Sequence, residues 1–595
     1  MTEPMPGTET NPSPFDRWGP SGIAALSILF ATCLLNLGGF GLVSMEGMVV
    51  DGAASMLQSS NWAVPRVYGE IYTYKPALAY WLSAIPQALV EEPGELLLRL
   101  PFAGSAVAFG LVLFVCVGRR LGPRAGLYAV AATTGGALFL EKVRLAEFDV
   151  VLFSTCGLAI LCACLALTRA RPALGLWLVA YLAFAAAFLA KGAPAAMVFG
   201  PGLLVASVLV GRWRTLWSLP HLAGALVGVL AIAAYLASAI RSDGLAVLSQ
   251  ASDEAGWRAL GWTWGELGRT LLKPLMIFAA AAPWSLVLLA VPRVLSGLPR
   301  QARELVLAAG GFLLGGVGAF IIVPTHEMRY YLPLLPALGV ASGVVAAHLD
   351  RSWPKTRRAL GLSAAMLATL GAAAGIYVGL DASVLTWPIA LSLLVLAALA
   401  ASPTRWLARL TRAAGEQQFA TRMIVCSLVA AVAVSFVFWP RKAQKRDLSQ
   451  VAAHFEPALP EDAALLVPPP ADKAGKHASL YFYLDRPVAT LLADPPSAGD
   501  FVIYVEGQEA QLGGLSLAVR REHEHPYYGY RLAEVLAVEM AGAARIVDLD
   551  SSSREIDSGA GRQTAAPRPG PRGAAGSGGG AAPGPAEDGD DESAS

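Results

Sequence analysis

Charge is scarce in this sequence: Asp, Glu, Lys and Arg make up only 15% of 595 residues, against 55% hydrophobic ones. So little charge cannot cover a soluble chain of this size, which excludes an ordinary soluble enzyme or binding module. The charge present is also balanced, 45 Lys and Arg against 44 Asp and Glu, so no basic field exists for nucleic acid and no nucleic-acid partner is expected. Cysteine is sparse too. Cys33, Cys116, Cys156, Cys162, Cys164 and Cys426 all lie inside apolar runs, which excludes a disulfide framework and reads as small core residues. The Cys162-x-Cys164 pair sits in mid-run with no His nearby and is not read as a soft-metal site. No cleavable signal is expected either, because the apolar run Ile23–Val43 lacks a small-residue cleavage pattern and reads as a retained first span.

What the sequence does have is long apolar runs of the length needed to cross about 30 Å of hydrocarbon. Roughly thirteen recur, near 22–43, 100–118, 125–140, 150–168, 173–190, 193–210, 219–240, 274–292, 304–323, 330–348, 359–379, 385–401 and 423–439. The segment Pro76–Val90 is apolar as well but contains Pro76 and Pro86. If it does not cross, the basic clusters Arg119/Arg120/Arg124, Arg169/Arg171, Arg212/Arg214, Arg293/Arg300/Arg303, Arg351/Lys355/Arg357/Arg358 and Arg405/Arg409/Arg412/Arg422 fall on one side. The positive-inside rule therefore predicts an interfacial helix pair in the first outer loop and a cytoplasmic N-terminus.

Four regions follow: a cytoplasmic segment over 1–20, a transmembrane region over 21–440, a C-terminal unit on the outer side over 441–550, and a tail over 551–595. The third alternates in stretches such as "DFVIYVEG" and reads as a small α/β appendage. The fourth is Gly/Ala/Pro-rich, ends in "EDGDDESAS", and is expected to be disordered. The fold class predicted is thus an α-helical polytopic membrane protein of about 13 transmembrane helices, with interfacial helices in the first outer loop and a small C-terminal α/β domain.

Charged groups at membrane boundaries cost free energy unless they meet water or a partner, so those at the ends of apolar runs carry information. Three clusters fall on the outer side. The first loop offers Glu46, Asp51 and Lys75, the run "EKVRLAEFDVVLF" offers Arg144, Glu147 and Asp149, and "VPTHEMRYYLPLL" offers His326, Glu327, Arg329, Tyr330 and Tyr331. Lys191 stands at another outer boundary, in "FLAKGAP". Their bland reading is headgroup-level anchoring and local ion pairing, with Lys191 snorkelling to water and His326 an exposed loop histidine. Three clusters on one face fit better with a site for a charged lipid headgroup: cations for a phosphate, carboxylates for base or sugar contacts.

The runs "NWAVPRVYGEIYTYKPALAYWLSA", "VRLAEFDVVLF", "FLAKGAPAA" and "RYYLPLLPALG" occur in order over about residues 20–340. In this the chain resembles the bacterial branch of the protein O-mannosyltransferase superfamily, which includes the lipid A aminoarabinose transferases. These are GT-C glycosyltransferases. The resemblance implies a GT-C fold in a bacterial inner membrane and transfer of a sugar from a polyprenyl-phosphate carrier to a lipid, glycan or protein acceptor at the periplasmic face, typically with inversion. It also implies roles. Glu46 would be the surviving half of an acidic pair that reads Met45-Glu46 here, with Asp51 as a nearby second acid, and Asp149 would be a further catalytic carboxylate. Lys75 would contact the carrier phosphate; by their own chemistry Arg329 and then Arg144 are further phosphate candidates, and Glu147, Lys191 and Tyr330 are further candidates for the substrate site. The family's Glu-Lys-Pro motif reads Tyr74-Lys75-Pro76, so the acid that resembles a divalent-metal ligand is missing. A divalent cation is compatible with the resemblance, but no metal ligand is assigned. The competing reading of the same spans and charges is a transporter or flippase of lipid-linked sugars, for which internal repeats would be expected and none is evident.

Overall fold

The computed structural model describes residues 14–557 except 44, 172, 246, 248–263, 323–326, 350–352, 382, 403–417, 447, 461–464, 469–477, 485–487, 492–493, 495, 506–507, 513–514, 525–528, 539–544 and 549–554. Most of it is helix. Among the described residues, eight helices are long and apolar enough to cross a membrane, and a bent pair makes a ninth. Three further apolar helices, Gly19–Leu34, Ala193–Leu209 and Trp387–Ala401, are shorter. The chain is a multi-pass membrane protein.

Three expected spans are corrected in detail. The first ends at a π turn, Phe30–Leu34, which continues α1 (Pro14–Leu29), instead of running on to residue 43. Beyond it Asn36 takes φ 57° and the chain turns through Gly38, Gly39 and Gly41, so its carbonyls leave the helical pattern. The 125–140 run is two helices, α5 (Pro123–Thr134) and α6 (Ala137–Lys142), parted at Gly135-Gly136. The 274–292 run bends by 118° between Ala280 and Trp284.

The expected first outer loop folds as α2 (Glu46–Ser59), a hairpin of β1 (Arg66–Val67) and β2 (Glu70–Ile71), and α3 (Leu78–Leu89). Twelve residues of α3 span only about 18 Å at 1.5 Å per residue, too short to cross a bilayer and right for an interfacial helix. The hairpin turns on Tyr68 (φ 52°) and Gly69 (φ 82°), the two positive φ values a tight two-residue hairpin demands. Tyr68 is an uncommon residue there and is over-determined: Asp51 Oδ2 accepts its N–H at 2.8 Å, its carbonyl accepts the Thr490 N–H at 2.9 Å, and its ring meets Tyr481 edge-on.

The core helices are α4 (Glu95–Leu121), α7 (Phe148–Leu167), α8 (Leu174–Lys191), α9 (Ala193–Leu209) and α10 (Leu219–Asp243), with Arg300–Ile322 and Leu335–Leu349 packed beside them. α7 is buried along nearly its whole length, which its uniformly apolar sequence requires. Helices approach closely where glycines recur four apart. A Cβ at Gly311 or Gly315 would strike the backbone of Ala206 or Pro201, and one at Gly339 or Gly343 would strike Thr133 or Ala129. We expect Gly343→Val to lower the melting temperature in detergent by several degrees. A variant melting with wild type would refute this close approach.

One end of this bundle is basic. Arg120 donates to the Thr168 carbonyl at 2.9 Å, Arg212 donates to the Arg169 carbonyl, and Arg212 lies 3.7 Å from Glu304. The N-terminal turn of α7, carrying Asp149, is at the opposite end. C-terminal to the bundle, strands β3 (Leu465–Val467), β4 (Val488–Thr490), β5 (Phe501–Val505), β6 (Leu515–Glu524), β7 (Gly529–Val538), β8 (Arg545–Asp548) and β9 (Glu555–Asp557) form one mixed sheet in the order 4-3-5-7-6-8-9. The small C-terminal α/β unit expected from alternation is present. It is joined to the first outer loop: the Tyr483 hydroxyl accepts the Leu42 N–H at 2.7 Å and donates to Glu95 at 3.1 Å.

Candidate active site

Three chain reversals meet at the end of the bundle opposite the basic one. In the first, α6 ends at Lys142, residues 143–147 turn, and α7 begins, placing Glu147 at its N-cap and Asp149 in its first turn. In the second, α8 ends at Lys191 and Gly192 adopts φ 69°, ψ −122°, a conformation open to glycine, so that α9 can start at once. In the third, the 3₁₀ turn Met328–Leu334 leads into the next helix and carries Arg329 and Tyr330.

These corners bring together four of the expected residues. Lys191 Nζ donates to Asp149 Oδ1 at 2.5 Å, both side chains being about 5% exposed. The same ammonium lies 4.6 Å from the centre of the Tyr330 ring, and the Arg329 guanidinium lies 6.0 Å from that ring. Arg329 is the open member: its side chain is 26% exposed and pairs with Glu327 at 3.2 Å. Lys191 therefore does not snorkel to water as the bland reading of a lone terminal lysine would have it.

Lys142 was not anticipated. Burial alone would lower its pKa, but Glu147, Glu141 and Asp149 outweigh burial and the repulsion of Arg329 and raise it. It is thus a third cation held beside the same carboxylates. Lys442, from the helix Trp439–Arg446, joins the edge of the group 3.5 Å from Glu141 and over the Trp439 ring. Neither was legible, because each is one charge among several at a helix end.

Glu46 is corrected. It is 0% exposed, and Arg99, also 0% exposed, takes both its oxygens, Nε to Oε1 at 2.8 Å and Nη2 to Oε2 at 2.7 Å. The Val43 and Ala146 N–H groups fill the remaining acceptor sites. Arg99 spends its other N–H groups on the carbonyls of Leu37, Phe40 and Gly41. A carboxylate so completely bonded has no lone pair left for an acceptor proton, so Glu46 fastens α2 and the end of the first span to α4.

Arg144 is corrected as well. It is fully buried, donates to the Leu140 carbonyl at 2.6 Å, and burial pulls its pKa down to about 10. A guanidinium sealed in protein cannot receive a lipid phosphate. Glu147 is buried too and accepts the Met45 N–H at 3.3 Å, linking the first loop to the α6–α7 corner. Lys75 lies half-buried in the stretch entering α3, and Tyr80 of α3 packs edge-on against Phe148, next to Asp149. His326 lies outside the described residues.

Burial pushes the Asp51 carboxyl up to about 7 in spite of the Tyr68 N–H it accepts. An Asp with a raised folded pKa keeps a proton that the unfolded chain gives up near pH 4, so stability falls as pH rises from about 4 to about 7 and is level beyond. Asp51→Asn keeps the acceptor and removes the charge. Its melting temperature should exceed wild type at pH 8, with the gap closing by pH 5; an equal gap at both pH values would contradict the burial account.

The divalent site implied by the resemblance does not fit. Tyr74 stands in place of the acid, and its ring packs on Tyr72 with centroids 5.3 Å apart. Among the described residues no three His, Cys, Asp or Glu side chains gather around a common point in the manner of a metal site.

Residues 74–237 match the family model described as dolichyl-phosphate-mannose-protein mannosyltransferase. The chain superposes with a TM-score of 0.67 on the crystal structure of ArnT from Cupriavidus metallidurans bound to undecaprenyl phosphate, covering 86% of this chain and 97% of that one at 19% identity. The apo state of the same protein gives 0.65 with equal coverage. A stretch of 99 residues is 37% identical to undecaprenyl phosphate-alpha-4-amino-4-deoxy-L-arabinose arabinosyl transferase 2 of Pseudomonas fluorescens (strain Pf0-1), and spans 16% of this chain and 17% of that relative. The fold is that of the ArnT structures, and the likeness read from the ordered sequence motifs is the one found.

Proposed function

We propose that the chain is an integral membrane glycosyltransferase that moves a sugar from a polyprenyl-phosphate carrier to a lipid, glycan or protein acceptor at the periplasmic face of a bacterial inner membrane. The observation that carries this reading is the cluster of Asp149, Lys191, Arg329 and Tyr330 at the non-basic end of an ArnT-like fold. The positive-inside rule sets the Arg120–Arg169–Arg212 end in the cytoplasm and the cluster outside.

In the reaction the acceptor oxygen bonds to the sugar's anomeric carbon while the bond from that carbon to the carrier phosphate breaks. The phosphate leaves with the electron pair as an anion, so the step needs fixed cations more than a general acid. Arg329, part-exposed and forked, is placed to take the phosphate, with Lys142 and Lys75 as further cations. Asp149 spends Oδ1 on Lys191, which holds the ammonium over Tyr330, and offers Oδ2 to the sugar or acceptor. Among the described residues, ion pairs at helix ends favour this over the flippase reading, which wants polar groups near mid-membrane.

A flippase moves the sugar across with its carrier bond intact, whereas a transferase breaks that bond. Proteoliposomes loaded with a radiolabelled polyprenyl-phosphate sugar should release free polyprenyl phosphate in step with a labelled acceptor. Movement of label across the membrane with the carrier intact would favour the flippase. Orientation is checked by labelling: Trp62→Cys should react with an impermeant maleimide from outside, and Lys355→Cys should not.

A further inference from the structure

The helix Ser449–Phe455 follows the last membrane helix and carries His454; it packs on β6, which carries His523. Both side chains are half-buried. Their ring centroids are 5.3 Å apart with planes at 47°. A tetrahedral ion bound at about 2.0–2.1 Å through one nitrogen of each imidazole would hold two ring centroids about 5 Å apart. The adjacent acid Glu522 is already engaged by Arg531 at 2.8 Å.

We propose that His454 and His523 form a two-imidazole site for a zinc-class divalent transition metal, with water completing the coordination. Such an ion would staple the segment leaving the membrane to the sheet of the C-terminal unit. Imidazole donors suit zinc, copper and nickel and are poor ligands for magnesium. The site lies apart from the Asp149 cluster and does not depend on the glycosyltransferase reading.

The test uses the full-length chain in detergent, stripped with EDTA and dialysed. Zinc chloride titrated by calorimetry at pH 7.5 should bind saturably and raise the melting temperature, while magnesium chloride should do neither. His454→Ala and His523→Ala should each weaken zinc binding by about tenfold or more and abolish the zinc-dependent shift, and at pH 5.5 wild-type affinity should fall by a similar factor. His523→Cys, which restores a ligand, should regain zinc binding and guards against an alanine variant that merely misfolds. Zinc uptake equal in wild type and both alanine variants, or none in wild type, would overturn the proposal.

Discussion

Arg329→Ala is expected to reduce sugar transfer by about 10²- to 10³-fold, the usual cost of removing one fixed charge-stabilising donor at the reacting centre. Its side chain is part-exposed and, among the described residues, its ion pair is with the still more exposed Glu327, so the variant should fold and melt near wild type. Asp149→Asn should be as inactive for a different reason. It frees Lys191 from its anchor and leaves a buried ammonium unpaired, which costs about 3–5 kcal/mol of stability. The double variant Asp149→Asn/Lys191→Met removes both charges and should recover much of that stability without recovering transfer. Melting curves beside turnover separate the two effects; a fully active Arg329→Ala would remove the phosphate role assigned here.

The second large effect belongs to Glu46 and Arg99. Every N–H of the guanidinium and both carboxylate oxygens are used, and both side chains are fully buried. Removing either partner strands a charge inside the protein, so Glu46→Ala and Arg99→Ala should each cost about 3–5 kcal/mol. Against a total stability of about 5–15 kcal/mol, that loss should show as poor yield and a melting temperature many degrees lower. Arg99→Lys should fail nearly as badly, because an ammonium has three donors and no planar fork. The contrast with Arg329→Ala is diagnostic: Glu46 variants lose activity with the fold, Arg329 variants keep the fold and lose activity. A Glu46→Ala protein that melts like wild type but cannot transfer sugar would return Glu46 to the catalytic role its sequence position suggested.

The difference between these carboxylates explains how much could be read in advance. Asp149, Lys191, Arg329 and Tyr330 were legible because each interrupts an apolar run where a charge or phenol must have a reason to be. The interfacial nature of Leu78–Leu89 followed from its prolines and from the sidedness of the basic loops. Glu46 was misread because its partner Arg99 is 53 positions away and looks, in sequence, like one more boundary charge. Arg144 was misread for the converse reason, since nothing in "EKVRLAEF" says that Lys142 faces the carboxylates while Arg144 turns inward to the Leu140 carbonyl. The shortened first span has the same origin: the carbonyls of Leu37, Phe40 and Gly41 leave the helix to serve Arg99, and hydropathy averages over such a detail. Pairings between distant segments are set by the packed fold, and periodicity does not encode them.

The departures Met45 and Tyr74 gain meaning from this arrangement. With one first-loop acid absent, the other bound to Arg99, and the position of the metal-ligand acid taken by an aromatic ring, the described carboxylates left near the cations are Asp149, Glu147, Glu141 and Glu327. In the proposed reaction the chemistry therefore rests on fixed cations and a single anchored aspartate.

The most direct measurement is cleavage of the bond between sugar and carrier. Purified protein in liposomes is given a polyprenyl-phosphate sugar and an envelope lipid extract as acceptor, and free polyprenyl phosphate is followed by mass spectrometry. The account predicts steady release by wild type and by Glu141→Gln, and release near background for Arg329→Ala and Asp149→Asn. Equal release by wild type and both of those variants, or an intact carrier bond throughout, would contradict it.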